Sequence, residues 1–202
     1  MASSRQVSTN SNSNTNTNTN TRIFVYGTLL RGYTNYQRYL KHAVEGGKAA
    51  LLGTARTVQS YPLILRPLTY PPATRGPMLL SDHGSPSNDW VQIDGEVYDV
   101  TADVLEALDI LEGVPSGCYY KEIIETLPLK VSSPSVSVSS VDMDVAPIKA
   151  TAYFYTIREG DTVLLNTFPL LTRYDDTAHN EYVPGPMNMD ILNLIKGQEG
   201  KL

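Results

Sequence analysis

The sequence predicts an α+β fold: a small mixed sheet or β-barrel flanked by two or three helices. Its segments read in the order strand, helix, two strands, loop, strand, helix, strand, loop, strand. Helices do not alternate regularly with strands, as a doubly wound parallel sheet requires. Of the 202 residues, about 180 lie beyond a Ser/Thr/Asn tract at the N-terminus, enough for one domain with a sizeable core. Hydrophobic residues make up 41% and charged residues only 18%, and the 13 tyrosines are apolar along the ring and polar at the tip.

Every residue from Ser8 to Thr21 is Ser, Thr or Asn. With no apolar side chain to bury, residues 1–21 are expected to be a disordered tail, and 22–202 a single domain. Arg22 to Tyr26 is a β-branched and aromatic run, read as a buried strand, and Gly27 to Gly32 follows as a turn. Tyr33 to Val44 places Tyr36, Tyr39, Leu40 and Ala43 at helical spacing, and Gly46-Gly47 ends that helix. Ala49–Val58 and Tyr61–Leu65 read as two strands joined by a turn at Gln59-Ser60. Residues 66–89 form a proline-rich excursion holding a brief strand at Met78–Leu80. Trp90–Val100 alternates as a strand, in which Gly95 marks a bulge or a close backbone approach. Thr101 is the expected N-cap of a helix over Ala102–Leu111, with Val104, Leu105, Leu108 and Leu111 on one face. Gly113 suits the left-handed position that closes it. Tyr119–Leu127 is a strand, 128–147 a Ser/Pro/Val-rich excursion, and Ala150–Ile157 the last strand. An irregular tail then leads to a terminal helix over Asn188–Lys196.

Composition excludes several function classes. One cysteine, Cys118, leaves no intrachain disulfide and no cysteine-based zinc cluster. His42, His83 and His179 lack metal-ligand spacing and are expected at the surface, so no metal is expected. No apolar run is long enough for a membrane span. Met1 to Arg5 lacks the apolar segment of a secretory signal. The acid-free, Ser/Thr-rich start has the composition of a transit peptide, but the first strand near Arg22 leaves little room for one, so the cytosol is the expected compartment. A net charge of -5 argues against nucleic acid as a partner. The charge is unevenly spread. Residues 1–44 carry Arg5, Arg22, Arg31, Arg38 and Lys41 with no acid, a mildly favourable place for an anion.

Two local features can carry chemistry. The strand-to-helix turn Tyr26-Gly27-Thr28-Leu29 frees backbone N–H groups that can cradle a carboxylate, a phosphate or a developing oxyanion. A structural turn that needs glycine for its backbone angles is the competing reading, and the residues alone favour it. Glu112 closes an amphipathic helix, where the negative end of the helix dipole disfavours the carboxylate and raises its pKa toward that of a general base. A solvated helix-end glutamate is the bland alternative, again favoured by the residues alone. Asp109, three residues earlier, is a conceivable partner or simply faces solvent. Glu96 lines the core or the surface according to strand register. Cys118 lacks an activating neighbour in sequence and reads as inert.

Taken in order, Tyr26-Gly-Thr-Leu29, Asp94-Gly-Glu-Val-Tyr98, Leu108-Asp-x-x-Glu-Gly-x-Pro115 and Tyr119 resemble the gamma-glutamylcyclotransferase-like superfamily. The resemblance runs from Arg22 to about Ile157 and is strongest to the branch of gamma-glutamylamine cyclotransferases and plant avirulence-induced-gene-like proteins. It implies a small β-barrel flanked by helices with a cavity at one end. It also implies a cofactor-free, monomeric enzyme acting on a small γ-glutamyl substrate, whose free α-amine attacks its own γ-amide carbonyl to form 5-oxoproline and expel an amine. In that reaction Glu112 would move the proton, Tyr26, Gly27, Thr28 and Leu29 would hold the α-carboxylate or γ-carbonyl, and Tyr119 would line the pocket. Because the substrate supplies its own nucleophile at high effective molarity, a chain without a Ser/His or Cys/His set can still perform it.

The pattern has departures. The stretch between Glu112 and Tyr119 is one residue longer than usual, so Tyr119 and Tyr120 compete for one role. Lys121 stands where an arginine is usual, which loses a bidentate fork. The Tyr-Gly-Thr-Leu form favours γ-glutamyl amines, or a γ-glutamyl-lysine isopeptide, as substrate, and the 66–89 excursion could shape the leaving-group pocket. The rivals are a non-catalytic module that binds a γ-glutamyl ligand in a stress or defence response, and an acyltransferase to an acceptor amine.

Overall fold

A computed structural model describes residues 20–66, 75–81, 90–129, 146–158 and 169–197. Its centre is a closed five-stranded barrel in the order β1 (Thr21–Val25), β5 (Val91–Val100), β2 (Ala49–Tyr61), β6 (Tyr119–Pro128) and β7 (Ile148–Tyr155). Neighbours are antiparallel except where β7 closes on β1 in parallel, with Ile23 opposite Thr151. A separate pair, β3 (Leu63–Leu65) and β4 (Pro77–Leu79), lies antiparallel beside the barrel. The expected mixed barrel with helices is therefore the observed architecture.

β1 shows why its sequence is apolar at successive positions. Phe24 and Tyr26 join Val97, Ala152 and Phe154 in the barrel interior. Ile23 and Val25 point the other way, into a core shared with the helices. A strand covered on both faces needs no polar alternation. That second core is built by α1 (Lys41–Glu45), by α2 (Ala102–Glu112) and by α4 (Met189–Lys196), which bury Ala43, Val104, Leu108, Ile191 and Ile195. The short α3 (Asp176–Asn180), in a region read as irregular, is capped by the Asp175 carboxylate, which accepts from the Ala178 amide at 3.1 Å.

Several expectations need correction. No turn separates two strands at Gln59-Ser60. β2 runs to Tyr61, and the polar pair sits in a bulge where Arg56 faces Asp94 but Ser60 already faces Gln92. The Thr57 hydroxyl fills the gap, accepting from the Ile93 amide at 2.9 Å and donating to the Gln59 carbonyl at 2.6 Å. The break comes at Pro62, which has no amide to give the ladder. β1 starts at Thr21, one residue inside the stretch assigned to the tail. The rest of that tail, apart from Asn20, lies outside the described residues, as does 130–145 of the second excursion. Thr101 has N-cap backbone geometry, yet its hydroxyl bonds Asp103 and caps no amide.

The helix over 33–44 is wider than expected. Tyr36–Leu40 forms a π-helical turn before α1 continues it, the kind of irregularity that recurs at functional sites. Gly95 is a close approach, since a Cβ there would lie 2.4 Å from the Val25 carbonyl oxygen and from the Phe24 ring. Gly113 has φ +71° and closes α2. The terminal helix is also as read, with the Asn188 side chain accepting from the amides of Asp190 and Ile191. No described helix is long and apolar enough to cross a membrane.

Candidate active site

A cavity of about 380 Å³ opens where β1 ends, between the 27–32 turn, the end of α2, and the segment leading into α4. All six residues singled out in the sequence line it: Tyr26, Gly27, Thr28, Leu29, Glu112 and Tyr119. Tyr120 does not; it stacks on Phe154 against the barrel core, so the competition between the two tyrosines resolves in favour of Tyr119. The extra residue in the connection is taken up by the short 3-10 turn Val114–Ser116 and by Gly117, which is left-handed at φ +70°.

The turn is tied from behind. The Leu30 amide donates to the Gly27 carbonyl at 2.9 Å, the Tyr36 amide to the Thr28 carbonyl at 3.0 Å, and Asn35 Nδ2 to the Thr28 hydroxyl at 2.8 Å. Gly27, Thr28 and Leu29 line the cavity, and their amides take part in none of these turn contacts. Glycine at 27 is required by space, not by backbone angle. Its φ is not in the left-handed region, but a Cβ would meet Pro77 Cγ at 2.4 Å. The β3–β4 pair thus seats Pro77 directly against the turn, and the Tyr119 hydroxyl donates to the Pro77 carbonyl at 3.3 Å.

Glu96 settles its own alternatives. It is buried, and its carboxylate accepts from the Arg31 amide at 3.1 Å, Arg31 Nε at 2.6 Å and the Tyr98 hydroxyl at 2.8 Å. It clamps the far end of the turn and is not part of the cavity lining. Asp109 is likewise occupied, by Lys121 Nζ at 2.6 Å and the Tyr153 hydroxyl at 2.8 Å. Lys121 and Asp109 neutralise each other away from the cavity lining, so neither pairs with Glu112 or reaches a ligand there.

Glu112 is different. No hydrogen bond or ion pair to it exists among the described residues, and its carboxyl is pushed up to about 7. Burial is what raises it. The Gly113 amide caps the carbonyls of Asp109 and Ile110, which tempers the negative end of α2. The phenols around Glu112 are poorer acids still. Burial, then the charges of Tyr119 and Glu112, holds Tyr26 well above the usual phenol range, and burial with the Glu112 charge does the same for Tyr119. Near neutral pH, Glu112 is thus the cavity group poised to exchange a proton.

Sequence reasoning missed other parts of the lining. Arg38, noted only as one of several early cations, lines the cavity, as do Asn35, Tyr182 and Asn188. Cys118 also lines it, with its sulfur 3.4 Å from Ser116 Oγ. His179 is not a plain surface residue. It is half-buried, stacks on Tyr182 and contacts the Tyr174 hydroxyl at 2.8 Å, while His83 lies outside the described residues. No group of three or more potential metal-ligating side chains occurs among the described residues.

Residues 23–169 match the family described as gamma-glutamyl cyclotransferase, AIG2-like. The chain belongs to that family. A gamma-glutamylaminecyclotransferase of Danio rerio is 35% identical over 108 residues, covering 54% of this chain and 50% of that protein. The gamma-glutamylaminecyclotransferase of Homo sapiens is 33% identical over 112 residues, covering 55% and 65%. The chain spans about half the length of several curated relatives it matches. A crystal structure of an AIG2-like protein from Mus musculus superposes with a TM-score of 0.59 at 24% identity, over 84% of this chain and 98% of that one. That likeness speaks for the family's fold.

Proposed function

We propose that this family member is a gamma-glutamyl cyclotransferase that releases 5-oxoproline and a free amine from a γ-glutamyl amine or a γ-glutamyl-lysine isopeptide. The observation that carries the reading is Glu112: a carboxylate raised to about 7, without a partner among the described residues, in one cavity with the turn residues Gly27, Thr28 and Leu29. The named activity of the gamma-glutamylaminecyclotransferase relatives supports the same reading.

In the proposed reaction Glu112 takes a proton from the substrate's α-ammonium. The freed amine nitrogen attacks the γ-carbonyl carbon, forming the lactam C–N bond. Negative charge on the carbonyl oxygen, or on the α-carboxylate, is met by the N–H groups of the turn, donors held in place before the charge develops. As the tetrahedral centre collapses, the γ-amide C–N bond breaks. The proton on Glu112 passes to the departing nitrogen, which leaves as a neutral amine. The restored carboxylate then takes the second proton of the ring nitrogen, leaving the neutral lactam. A carboxyl near pKa 7 suits both halves, accepting and returning a proton at neutral pH.

The test is to incubate the purified chain with a panel of γ-glutamyl amines, isopeptides and amino acids while following 5-oxoproline. Release from at least one amine or isopeptide, abolished in Glu112→Gln, is the expected result. Saturable binding without release would favour the non-catalytic module. Transfer of the glutamyl group to an added amine, without lactam, would favour the acyltransferase.

A further inference from the structure

The early basic segment meets its acids outside the cavity. Arg22 pairs with Asp99 at 2.9 Å, Arg31 with Glu96 at 2.6 Å and Lys41 with Glu45 at 3.8 Å. Arg38 breaks the pattern. It lines the cavity and faces no carboxylate among the described residues. Its Nη1 donates instead to the Gly185 carbonyl at 3.0 Å. A guanidinium so held has further N–H donors to offer, in a fork that fits a carboxylate.

The brace is itself well fixed. Residues 182–188 are pinned by the Tyr182 hydroxyl donating to Asn35 Oδ1 at 3.4 Å and by the Asn188 amide donating to the Tyr39 hydroxyl at 2.9 Å. Paired backbone bonds between Val183 and Arg75, at 3.0 and 3.1 Å, complete it. This segment lies past residue 169, where the family match ends, so the wall carrying Arg38's partner is built from sequence outside that match. In the proposed reaction the turn serves the substrate's own α-carboxylate or γ-carbonyl. Arg38 is then a second anion-binding group in a cavity with room beyond a glutamyl head.

We propose that Arg38, braced by the 182–188 segment, is a specificity-determining residue that selects γ-glutamyl amines whose departing amine carries a carboxylate. The inference rests on the cyclotransferase reading of the same cavity. Arg38 takes no part in making or breaking bonds. It orients the leaving group by a charge-assisted, bidentate contact while Glu112 handles the proton.

The test compares two substrates of equal chain length, the γ-glutamyl conjugates of ω-aminohexanoate and of hexylamine, by 5-oxoproline release from the full chain. The expected ratio of kcat/KM favours the carboxylate substrate by about tenfold or more. In Arg38→Gln that ratio falls to about one, mainly through KM, and Arg38→Lys keeps part of it because the charge remains. A wild-type ratio near one, a ratio unchanged in Arg38→Gln, or an equal loss on both substrates overturns the proposal. Should Arg38→Gln not fold, product inhibition of the wild type decides. Free ω-aminohexanoate must inhibit more strongly than hexylamine, and equal inhibition overturns the proposal. Turnover without discrimination sinks this inference alone, whereas no 5-oxoproline from any γ-glutamyl compound sinks the reading beneath it as well.

Discussion

Glu96 in the middle of β5 and Glu112 at the end of α2 are both withdrawn from bulk water, and their surroundings give them opposite uses. Glu96 accepts from the Arg31 amide, the Arg31 side chain and the Tyr98 hydroxyl, so its charge is spent on holding the 27–32 turn. Glu112 is desolvated without such donors, so its charge is costly and its proton is available near neutral pH. The lesson is that burial alone does not make a proton carrier. The difference lies in whether the interior also supplies donors, and each way of changing that supply should move one glutamate toward the behaviour of the other.

The largest expected effect is on rate. Glu112→Gln keeps the shape and removes the proton acceptor, and kcat should fall by about a thousandfold, within the usual range for losing a general acid–base group. In the wild type the acid limb of kcat/KM should have its midpoint at about 7, since the carboxylate form must be present to accept the α-ammonium proton. Steady-state assays between pH 5 and 9, read as about two units either side of neutrality, check both points. A limb near the ordinary carboxylate range would mean that Glu112 has found donors as Glu96 has.

The same raised pKa makes a stability prediction of definite sign. A carboxyl raised from 4.5 to about 7 favours the folded state only while protonated, so this contribution is fully present below 4.5 and is lost as pH rises through 7. Glu112→Gln removes the liability. Urea unfolding should show the two proteins equal within a few tenths of a kcal/mol at low pH, and the variant more stable by about 3 kcal/mol above pH 7. Equal stability at every pH would show that Glu112 is solvated after all.

How far the sequence revealed this arrangement follows from how local each cause is. Turn chemistry, capping and period-two burial are written in neighbouring residues, so β1, β5, α2 with Gly113, and α4 with its Asn188 cap could be read directly. The six candidate residues that line the cavity were legible because a motif orders them along the chain. Neither the role of Glu96 nor that of Gly27 was, because each depends on a contact remote in sequence: Glu96 with Arg31, and Gly27 with Pro77 of β4. Arg38 and the 182–188 wall were hidden for the same reason, as the bond from Arg38 to Gly185 spans 147 residues. The pKa of Glu112 was expected to rise, but through a dipole that a helix pattern reveals. Burial, which raises it in the fold, comes from segments remote in sequence that assemble around the cavity.

Removing the donors' target at Glu96 gives the next effect in size. Glu96→Ala strands the buried Tyr98 hydroxyl and releases the Arg31 amide, and should lower the unfolding free energy by about 2 kcal/mol. The half-exposed Arg31 side chain recovers water, which keeps the loss below that of a fully buried pair. Glu96→Gln should lose about half as much, because an amide oxygen still accepts one of the bonds. Both variants should raise KM as the turn loosens, while leaving the acid limb of kcat/KM where it was. A displaced limb would mean that the two glutamates are coupled.

The smallest effect is expected at Tyr119, and it bears on whether Glu112 acts alone. The Tyr119 hydroxyl donates to the Pro77 carbonyl at 3.3 Å, long for a bond from a hydroxyl, and its phenol is held far above neutrality by burial and by the Glu112 charge. A group with that pKa is a poor proton donor near pH 7. Its use here is to seat β4 against the turn and fill the cavity wall. Tyr119→Phe keeps the ring and deletes only that bond, so stability should fall by less than about 1 kcal/mol. The change in kcat/KM should stay under about tenfold and fall mainly on KM, as befits a group that packs without transferring a proton. A loss in kcat of a hundredfold or more would make Tyr119 part of the proton path, and the contrast between one hydrogen-bonded and one unsatisfied glutamate would no longer account for the chemistry.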